Sequence, residues 1–171
     1  MLKPVFLILA LLATPIAVAG LPPASDLAQD AEKAKQARLP ILVFFTSDSC
    51  PYCQEVLELY LEPMHDRGVY SGRLLMRYVE VTSGTSVRDF DGRRTDHERF
   101  AAREGAFITP MIRFYDYTGR ELVPPIIGYS SRDFFAGDLE EAIERSIARA
   151  QAGGAAGRAR AIQRQAGLPT N

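Results

Sequence analysis

The segment ILVFFTSDSCPYC, residues 41–53, contains the only two cysteines of the chain, Cys50 and Cys53, directly after an apolar run. The run follows Pro40 and is rich in β-branched and aromatic residues, which is typical of a strand buried on both faces. Residues 47–49, SDS, are a turn signal, and the residues after Cys53 have helical periodicity. The segment therefore predicts a strand, a turn and a helix whose first residues carry both sulfurs.

The spacing of the two cysteines favours redox chemistry over a structural role. A disulfide that closes so short a loop restrains the unfolded chain only a little. At a helix N-terminus, backbone N–H groups and the helix dipole stabilise a thiolate, so we expect the pKa of Cys50 to be lowered and Cys50 to be the attacking nucleophile. Cys53, expected on the same helix face and more buried, would resolve the mixed disulfide. Pro51 suits the first helical turn, where its missing N–H needs no partner.

A metal site or an inert disulfide is the alternative to a redox pair. A structural zinc site needs about four ligands, whereas the chain has one CxxC pair and two histidines, His65 and His97. Copper held by both thiolates and a histidine is a further possibility, but nothing in the sequence places either histidine near the strand–helix junction. We favour a redox-active disulfide that needs no metal and no bound cofactor.

The N-terminus predicts export. Residues 1–19 combine an early Lys3, an apolar block and an A-x-A pattern at residues 17–19, which is typical of a cleavable bacterial signal peptide. An uncleaved membrane anchor is the alternative, because residues 4–21 carry no charge, although Pro15 interrupts them. Either way, we expect a periplasmic protein. The periplasm is oxidising, so a cysteine pair can remain a disulfide there. The chain of 171 residues has a formal charge of −1 and shows no basic cluster that would indicate a nucleic-acid partner.

The remaining sequence predicts one α/β domain over residues 20–150. Further strands are expected at residues 74–81, 111–117 and 121–129, the last with two prolines that indicate an edge strand or a bulge. A polar, self-neutralised loop is expected at residues 83–94, and a flexible tail at residues 151–171.

Four helices are expected beside these strands. The first covers residues 24–38, with Asp26 or Ser25 as its cap, and the second covers residues 53–61 and ends at Pro63. A short third helix opens with Thr95 and Glu98 as a capping box and stops at Gly105. The fourth covers residues 131–151, and its predicted core-facing residues are Phe134, Phe135, Leu139, Ile143 and Ile147.

With these elements, the chain resembles the exported thioredoxin-like proteins. CPYC follows a hydrophobic strand and opens a helix, GAFITP at residues 105–110 leads into MIRFYD, and residues 117–121 and 128–129 match the closing hairpin and glycine of that family. The resemblance implies an α/β thioredoxin fold, a central mixed four-stranded sheet with helices on both faces and an additional N-terminal helix. It also implies a cis peptide bond at Thr109–Pro110, in a loop that lies against the disulfide and pairs with a substrate strand.

The same resemblance implies a periplasmic thiol–disulfide oxidoreductase. It would reduce disulfides in exported partner proteins, in the manner of reductases that serve cytochrome maturation or sulfur metabolism. We expect a monomer that receives electrons from another dithiol protein, a membrane-embedded one. Cys50 and Cys53 would react, and four residues would contact the substrate: Pro51, Tyr52, Thr109 and Pro110. Tyr52 is expected to be exposed between the two cysteines.

Two questions remain open at this level. Phe44 stands where many thioredoxins carry an acidic proton acceptor, so the proton of Cys53 would pass to water, to Glu80 or to another carboxylate. The CxxC pair also leaves the direction of electron flow undecided, because the direction depends on thiolate stabilisation and on the potential of the partner. The alternative functions are a disulfide-forming oxidase and a non-enzymatic module that binds a partner or a copper ion.

Overall fold

A computed structural model describes residues 20–165, with side chains for residues 20–153. The predicted signal peptide and residues 166–171 of the predicted tail lie outside this range. The elements in chain order are α1 (Leu27–Ala37), β1 (Ile41–Thr46), α2 (Pro51–Val56), a π-helical turn (Leu57–Leu61), α3 (Glu62–Asp66), β2 (Leu75–Glu80), β3 (Ser86–Arg88), β4 (Arg94–Asp96), α4 (His97–Arg103), β5 (Met111–Tyr115), β6 (Glu121–Ile127) and α5 (Arg132–Gln165).

Four strands form one mixed sheet in the order β2–β1–β5–β6. β1 pairs in parallel with β2 and antiparallel with β5, and β5 pairs antiparallel with β6. This confirms the predicted thioredoxin fold and the position of the proline-containing strand at an edge. The β5–β6 register is interrupted opposite Pro124 and Pro125, which cannot donate ladder hydrogen bonds.

Side chains of β1 alternate between two cores, so the strand is buried on both faces as predicted. Leu42 and Phe44 point to the side covered by α2 and α5, and this side, which holds Cys53, is called the cysteine face. The odd-numbered residues of β1 point to the opposite side, covered by α1, α4 and Val87 of β3. We call that side the hairpin face. Asp26 caps α1 by accepting a hydrogen bond from the N–H of Gln29, as predicted.

The residues predicted as a polar loop, 83–94, contribute instead to a hairpin made of β3 and β4. The prediction missed it because its strands are three residues long and mostly polar, with Val87 as the buried anchor. Asp89 is not a solvated charge either. It is buried and accepts hydrogen bonds from the N–H groups of Asp91 and Arg93 and from the guanidinium of Arg103.

Two predicted helix boundaries were wrong, and backbone hydrogen bonding explains both differences. Pro63 does not end the second helix, which continues through a π-helical turn and α3 to Asp66. The N–H of Glu62 donates to the carbonyl of Leu57, which makes a wider turn directly before Pro63. Because Pro63 has no N–H, it needs no carbonyl acceptor in the preceding turn. In the third helix, Asp96 rather than Thr95 is the N-cap, because the pairing of β4 with β3 extends through Asp96, opposite Ser86, so the helix begins only at His97.

The last helix differs from its prediction at both ends. Phe134, predicted to face the core, has 74% of its surface exposed, because it lies one residue off the buried stripe of Phe135, Leu139, Ile143 and Ile147. α5 also continues to Gln165, so residues 151–165 are helical rather than a flexible tail. This part of the chain is rich in alanine, arginine and glutamine, which all have high helix propensity.

Candidate active site

The two cysteines lie where β1 gives way to α2. Cys50 is the N-cap of α2, and Pro51 occupies its first turn as predicted. The Cα atoms of Cys50 and Cys53 are 5.2 Å apart, and the two residues form a disulfide. The backbone N–H of Cys53 donates to Sγ of Cys50 at 3.1 Å. A sulfur that caps a helix in this way receives the N–H and dipole stabilisation that favours a thiolate once the disulfide is reduced.

The two sulfurs differ in their access to solvent. Cys53 is 1% exposed and belongs to the core of the cysteine face, whereas Cys50 is only partly buried at its edge. The prediction that Cys53 is the more buried cysteine is therefore confirmed. A disulfide or thiol of a partner can reach Cys50 from solvent, while Cys53 lies in the core directly bonded to the Cys50 sulfur.

The Thr109–Pro110 peptide bond is cis, as the family resemblance implied. Its position follows from the strand register. Phe45 pairs with Met111, so the residues just before β5 lie beside the end of β1. They are therefore at the same end of the sheet as the cysteines. Pro110 is buried, while Phe107 and Ile108 ahead of it are 79% and 59% exposed. The loop thus presents apolar side chains to solvent at the end of the sheet where the cysteines lie.

Tyr52, predicted to be exposed between the cysteines, is 59% exposed. Its ring lies 5.9 Å from the ring of Tyr129, measured between centroids. The hydroxyl of Tyr129 and the guanidinium of Arg132 both donate to the carboxylate of Glu55, at 3.0 and 2.7 Å. The hydrogen bond from Arg132 holds the pKa of Glu55 below its ordinary value of 4.5, while desolvation raises the pKa of Tyr129.

Sequence reasoning did not find this polar cluster beside α2. Glu55 and Arg132 are separated by 77 positions in the chain, and each has the appearance of an ordinary surface charge on its own helix. The only available signal was the position of Tyr129 next to the family glycine, Gly128. The cluster ties the start of α5 to the helix that carries the cysteines.

A cavity of about 470 Å³ opens beside Cys53. Its lining includes Thr46 and Asp48 from β1 and the turn, Glu62 from α3, and Tyr78 and Glu80 from β2. Phe44, at the position where many thioredoxins carry an acid, is fully buried in the core and does not line this space. We call this space the Cys53 cavity. It brings the predicted resolving cysteine together with Glu80, one of the proton acceptors considered from the sequence.

Neither histidine joins the cysteines. His97 is buried, with Nε2 2.7 Å from the carbonyl of Ala24 and Nδ1 accepting from the N–H of Glu80. His65 lies on α3 and contacts its neighbour Asp66. Within residues 20–153, no group of three or more His, Cys, Asp or Glu side chains is arranged to hold a metal ion.

Comparison with known proteins gives the family. A family model described as a thioredoxin-like domain matches residues 27–143. The chain belongs to the thioredoxin-like family. With its disulfide-bonded CxxC pair at the start of α2, this thioredoxin-like protein is a thiol–disulfide oxidoreductase.

One solved structure supports the fold of this thioredoxin-like protein. The DsbH oxidoreductase is similar with a TM-score of 0.53 and 22% sequence identity, over 79% of this chain and 92% of that one. Thioredoxin O2 from Arabidopsis thaliana in its oxidised state aligns with a TM-score of 0.47 and 14% identity, over 71% of this chain and 94% of that one. No curated protein matches the chain in sequence.

Proposed function

We propose that this thioredoxin-like protein is a periplasmic reductase of disulfides in exported partner proteins. The observation that carries the exchange reaction is the asymmetry of the cysteine pair, and the reducing direction is proposed from the resemblance to exported thioredoxin-like reductases. One sulfur caps α2 and is open to a partner, while the other is 1% exposed and lies behind it. Two-step dithiol exchange requires this arrangement, because the outer thiolate must meet the substrate before the inner thiol completes the reaction.

The reaction begins with the reduced protein. Sγ of Cys50, as a thiolate, attacks one sulfur of the substrate disulfide, and the other substrate sulfur leaves as a thiolate that takes a proton from water. Cys53 then loses its proton and attacks Sγ of Cys50. The mixed disulfide breaks, the second substrate sulfur leaves with the electron pair, and the Cys50–Cys53 disulfide forms. Two electrons have passed from the protein to the substrate.

The proposed substrate contacts come from two segments, the first turn of α2 and the loop before β5. Pro51 and Tyr52 are exposed on the first turn of α2, and the Thr109–Pro110 loop lies at the same edge of the sheet. We propose that a substrate strand lies between them and pairs with the backbone around Thr109. The exposed side chains of Phe107 and Ile108 would widen the apolar part of this contact.

Electrons must return to the cysteines after each turnover. We propose a membrane-embedded dithiol protein as the donor, because the periplasm keeps exported thiols oxidised and supplies no bulk reductant. The signal-like pattern of residues 1–19 supports export. In the described residues, no helix combines the length and the apolar character that crossing a bilayer requires.

The test measures the reduction potential of the Cys50–Cys53 pair in protein recovered from the periplasmic fraction of cells that express the full chain. The oxidised and reduced forms are equilibrated in dithiol buffers and separated after thiol trapping. We expect a value near or below about −270 mV, which is the range of a reductant. A value near about −120 mV would mean that the protein forms disulfides, and recovery from the cytoplasm would overturn the proposed location.

A trapping experiment tests the reaction itself. In the Cys53→Ala variant, Cys50 can attack a partner but nothing resolves the product, so mixed disulfides with exported proteins should accumulate on a non-reducing gel. The matched control is Cys50→Ala, which should trap nothing because its remaining cysteine is 1% exposed. Equal trapping by both variants would contradict the roles given to the two sulfurs.

A further inference from the structure

We propose that Glu80 is the proton acceptor that activates Cys53 for the resolving step. This inference rests on the proposed function, since it concerns the second half of the same thiol exchange. Phe44 replaces the acid expected on β1, so the sulfur buried behind Cys50 has no carboxylate from its own strand–helix unit at that position. The acid comes instead from the neighbouring strand.

The strand register directs Glu80 toward the cysteines. β2 pairs in parallel with β1, and Glu80 is opposite Thr46, the residue at which β1 ends. Met76 and Tyr78, four and two residues before Glu80, pack in the core of the cysteine face, while Val79 packs into the hairpin face. Because side chains alternate along a strand, Glu80 shares the face of Met76 and therefore of Cys53. Glu80 and Cys53 both line the Cys53 cavity.

The Glu80 carboxylate is held in place with one oxygen left free. Oε1 accepts hydrogen bonds from the N–H and the hydroxyl of Thr82, at 3.2 and 2.7 Å. The Glu80 N–H donates to Nδ1 of His97, which anchors the backbone. Oε2 is buried and has no hydrogen-bond partner. An acceptor buried without a partner is costly to a fold, so its retention points to a role in which a proton arrives there.

One other buried polar atom of the described side chains lacks a partner, Nε of Arg113. That atom is different in kind, because it is a donor and its guanidinium already binds Glu121 at 2.9 Å. Arg113 also pairs with Val43, so it belongs to the hairpin face, away from the cysteines. Glu80 is the buried acceptor on the side where a proton has to leave.

Other acidic groups border the same cavity, and they provide the controls. Asp48 is exposed in the turn before Cys50, and Glu62 lies on α3 beside Gly20. Tyr78 is the remaining titratable side chain, and no lysine or arginine is among the described residues that line the space. The cavity has room for water between the Cys53 thiol and Glu80, so the proton can move through water.

The step is balanced. In the mixed disulfide between Cys50 and the substrate, the proton on Sγ of Cys53 passes to Oε2 of Glu80. The resulting thiolate attacks Sγ of Cys50, the Cys50–Cys53 bond forms, and the bond from Cys50 to the substrate sulfur breaks. The electron pair leaves with the substrate thiolate, and Glu80 later releases its proton to solvent through the cavity.

A two-phase reaction separates this step from the first attack. Reduced protein is mixed with one equivalent of 5,5′-dithiobis(2-nitrobenzoate), and release of the coloured thiolate is followed by stopped flow. The first equivalent released reports attack by Cys50, and the second reports resolution by Cys53. We expect Glu80→Gln to leave the first phase unchanged and to slow the second on the order of 100-fold at pH 7. The slowed phase should rise about tenfold per pH unit, because the thiol must then ionise to solvent, while the wild-type phase rises less.

The matched controls are Glu62→Gln and Asp48→Asn, which remove charges from the same cavity and should leave the second phase as in the wild type. An unchanged rate and pH profile in Glu80→Gln would overturn the proposal, as would an equal slowing in Glu62→Gln. If no first phase occurs in the wild-type protein, the proposed function itself fails, and that outcome is distinct from a failure of Glu80.

A second measurement uses the wild-type side chain and does not depend on whether the variant folds. In reduced protein labelled with ¹³C at glutamate Cδ and cysteine Cβ, the Glu80 carboxyl signal should move when Cys53 loses its proton. The same movement should be absent in Cys53→Ser. A Glu80 signal that passes through the ionisation of Cys53 without change would refute the assignment.

Discussion

The two faces of the four-stranded sheet are built from the same strands but have different roles. The hairpin face is closed by aromatic packing, with Phe100 stacked on Phe45, and by paired charges such as Asp30 with Arg77. The cysteine face keeps an open cavity beside Cys53 and leaves Oε2 of Glu80 without a hydrogen-bond partner. Stability and reactivity make opposite demands, since packing fills space and pairs charges whereas proton transfer needs a free acceptor and an open path. In this molecule the two demands are met on opposite sides of one sheet.

The largest expected effect on stability comes from the hairpin face. Phe100→Ala removes a ring that is 1% exposed and packs between Phe45 and Phe90. We expect a loss of about 3–5 kcal/mol in the free energy of unfolding, measured by urea denaturation, with the reduction potential unchanged. The control is Phe134→Ala, whose ring is 74% exposed and which should change stability by less than about 0.5 kcal/mol. A shifted potential in Phe100→Ala would show that the faces are not independent.

An intermediate effect is expected at the far end of the sheet, in the turn between β5 and β6. Asp116 is buried and accepts hydrogen bonds from Thr118 and from Arg120. Burial by itself would raise the pKa of Asp116, but these hydrogen bonds lower it below 3.8. We expect Asp116→Ala to cost about 1–3 kcal/mol at pH 7 by urea denaturation, again without change in reduction potential.

The sign of the pH dependence follows from the lowered pKa. The contribution of Asp116 is complete above pH 3.8, its pKa in the unfolded chain, and is lost as the pH falls through the lower value of the folded state. The difference between wild type and Asp116→Ala should therefore shrink in acid. Asp116→Asn, which keeps one acceptor oxygen, should lie between the two proteins. A difference that grows below pH 3.8 would contradict this account.

The smallest effect is expected on the cysteine face, at the exposed pair of Glu55 and Arg132. The hydrogen bond from Arg132 lowers the pKa of Glu55 below 4.5, so the stabilisation exists above pH 4.5 and disappears as the pH falls through the folded-state value. Glu55→Gln should lower the urea midpoint slightly at pH 7, and its difference from the wild type should shrink as the pH falls below 4.5. Exposed ion pairs contribute little, and a large effect here would mean that charges near the cysteines stabilise the fold more than packing does.

Several features of the fold and site could be predicted because they depend on local chemistry. The strand before the cysteines is a continuous apolar run, and the helix after them has its own periodicity, so Cys50 had to lie at the junction. Tyr52, between the cysteines on an exposed turn, was also correctly placed. The cis bond at Thr109–Pro110 was expected from the family resemblance rather than from the residues.

Other features could not be predicted because two segments compete or pair at a distance. Thr95 and Asp96 are both good helix caps, and the pairing of β4 with β3 keeps the chain extended through Asp96, so the helix begins after Asp96 and not after Thr95. Phe134 and Phe135 are equally apolar in sequence, and only the direction in which α5 packs buries one and exposes the other. Tertiary contacts decide which residue caps the helix and which ring is buried, because the local preferences of the competing residues are nearly equal.

By itself, the sequence determined the chemistry of this protein: a cysteine pair at the start of a helix, at a spacing that two-step thiol exchange uses. Which acid serves that pair was decided only by the tertiary structure. Glu80 is 27 positions from Cys53 in the chain and belongs to another strand. Parallel pairing of β1 with β2 brings it to the cavity beside the inner sulfur. The spacing of two thiols along a helix is a property of the backbone, whereas the meeting of a thiol and a carboxylate from separate strands depends on sheet register.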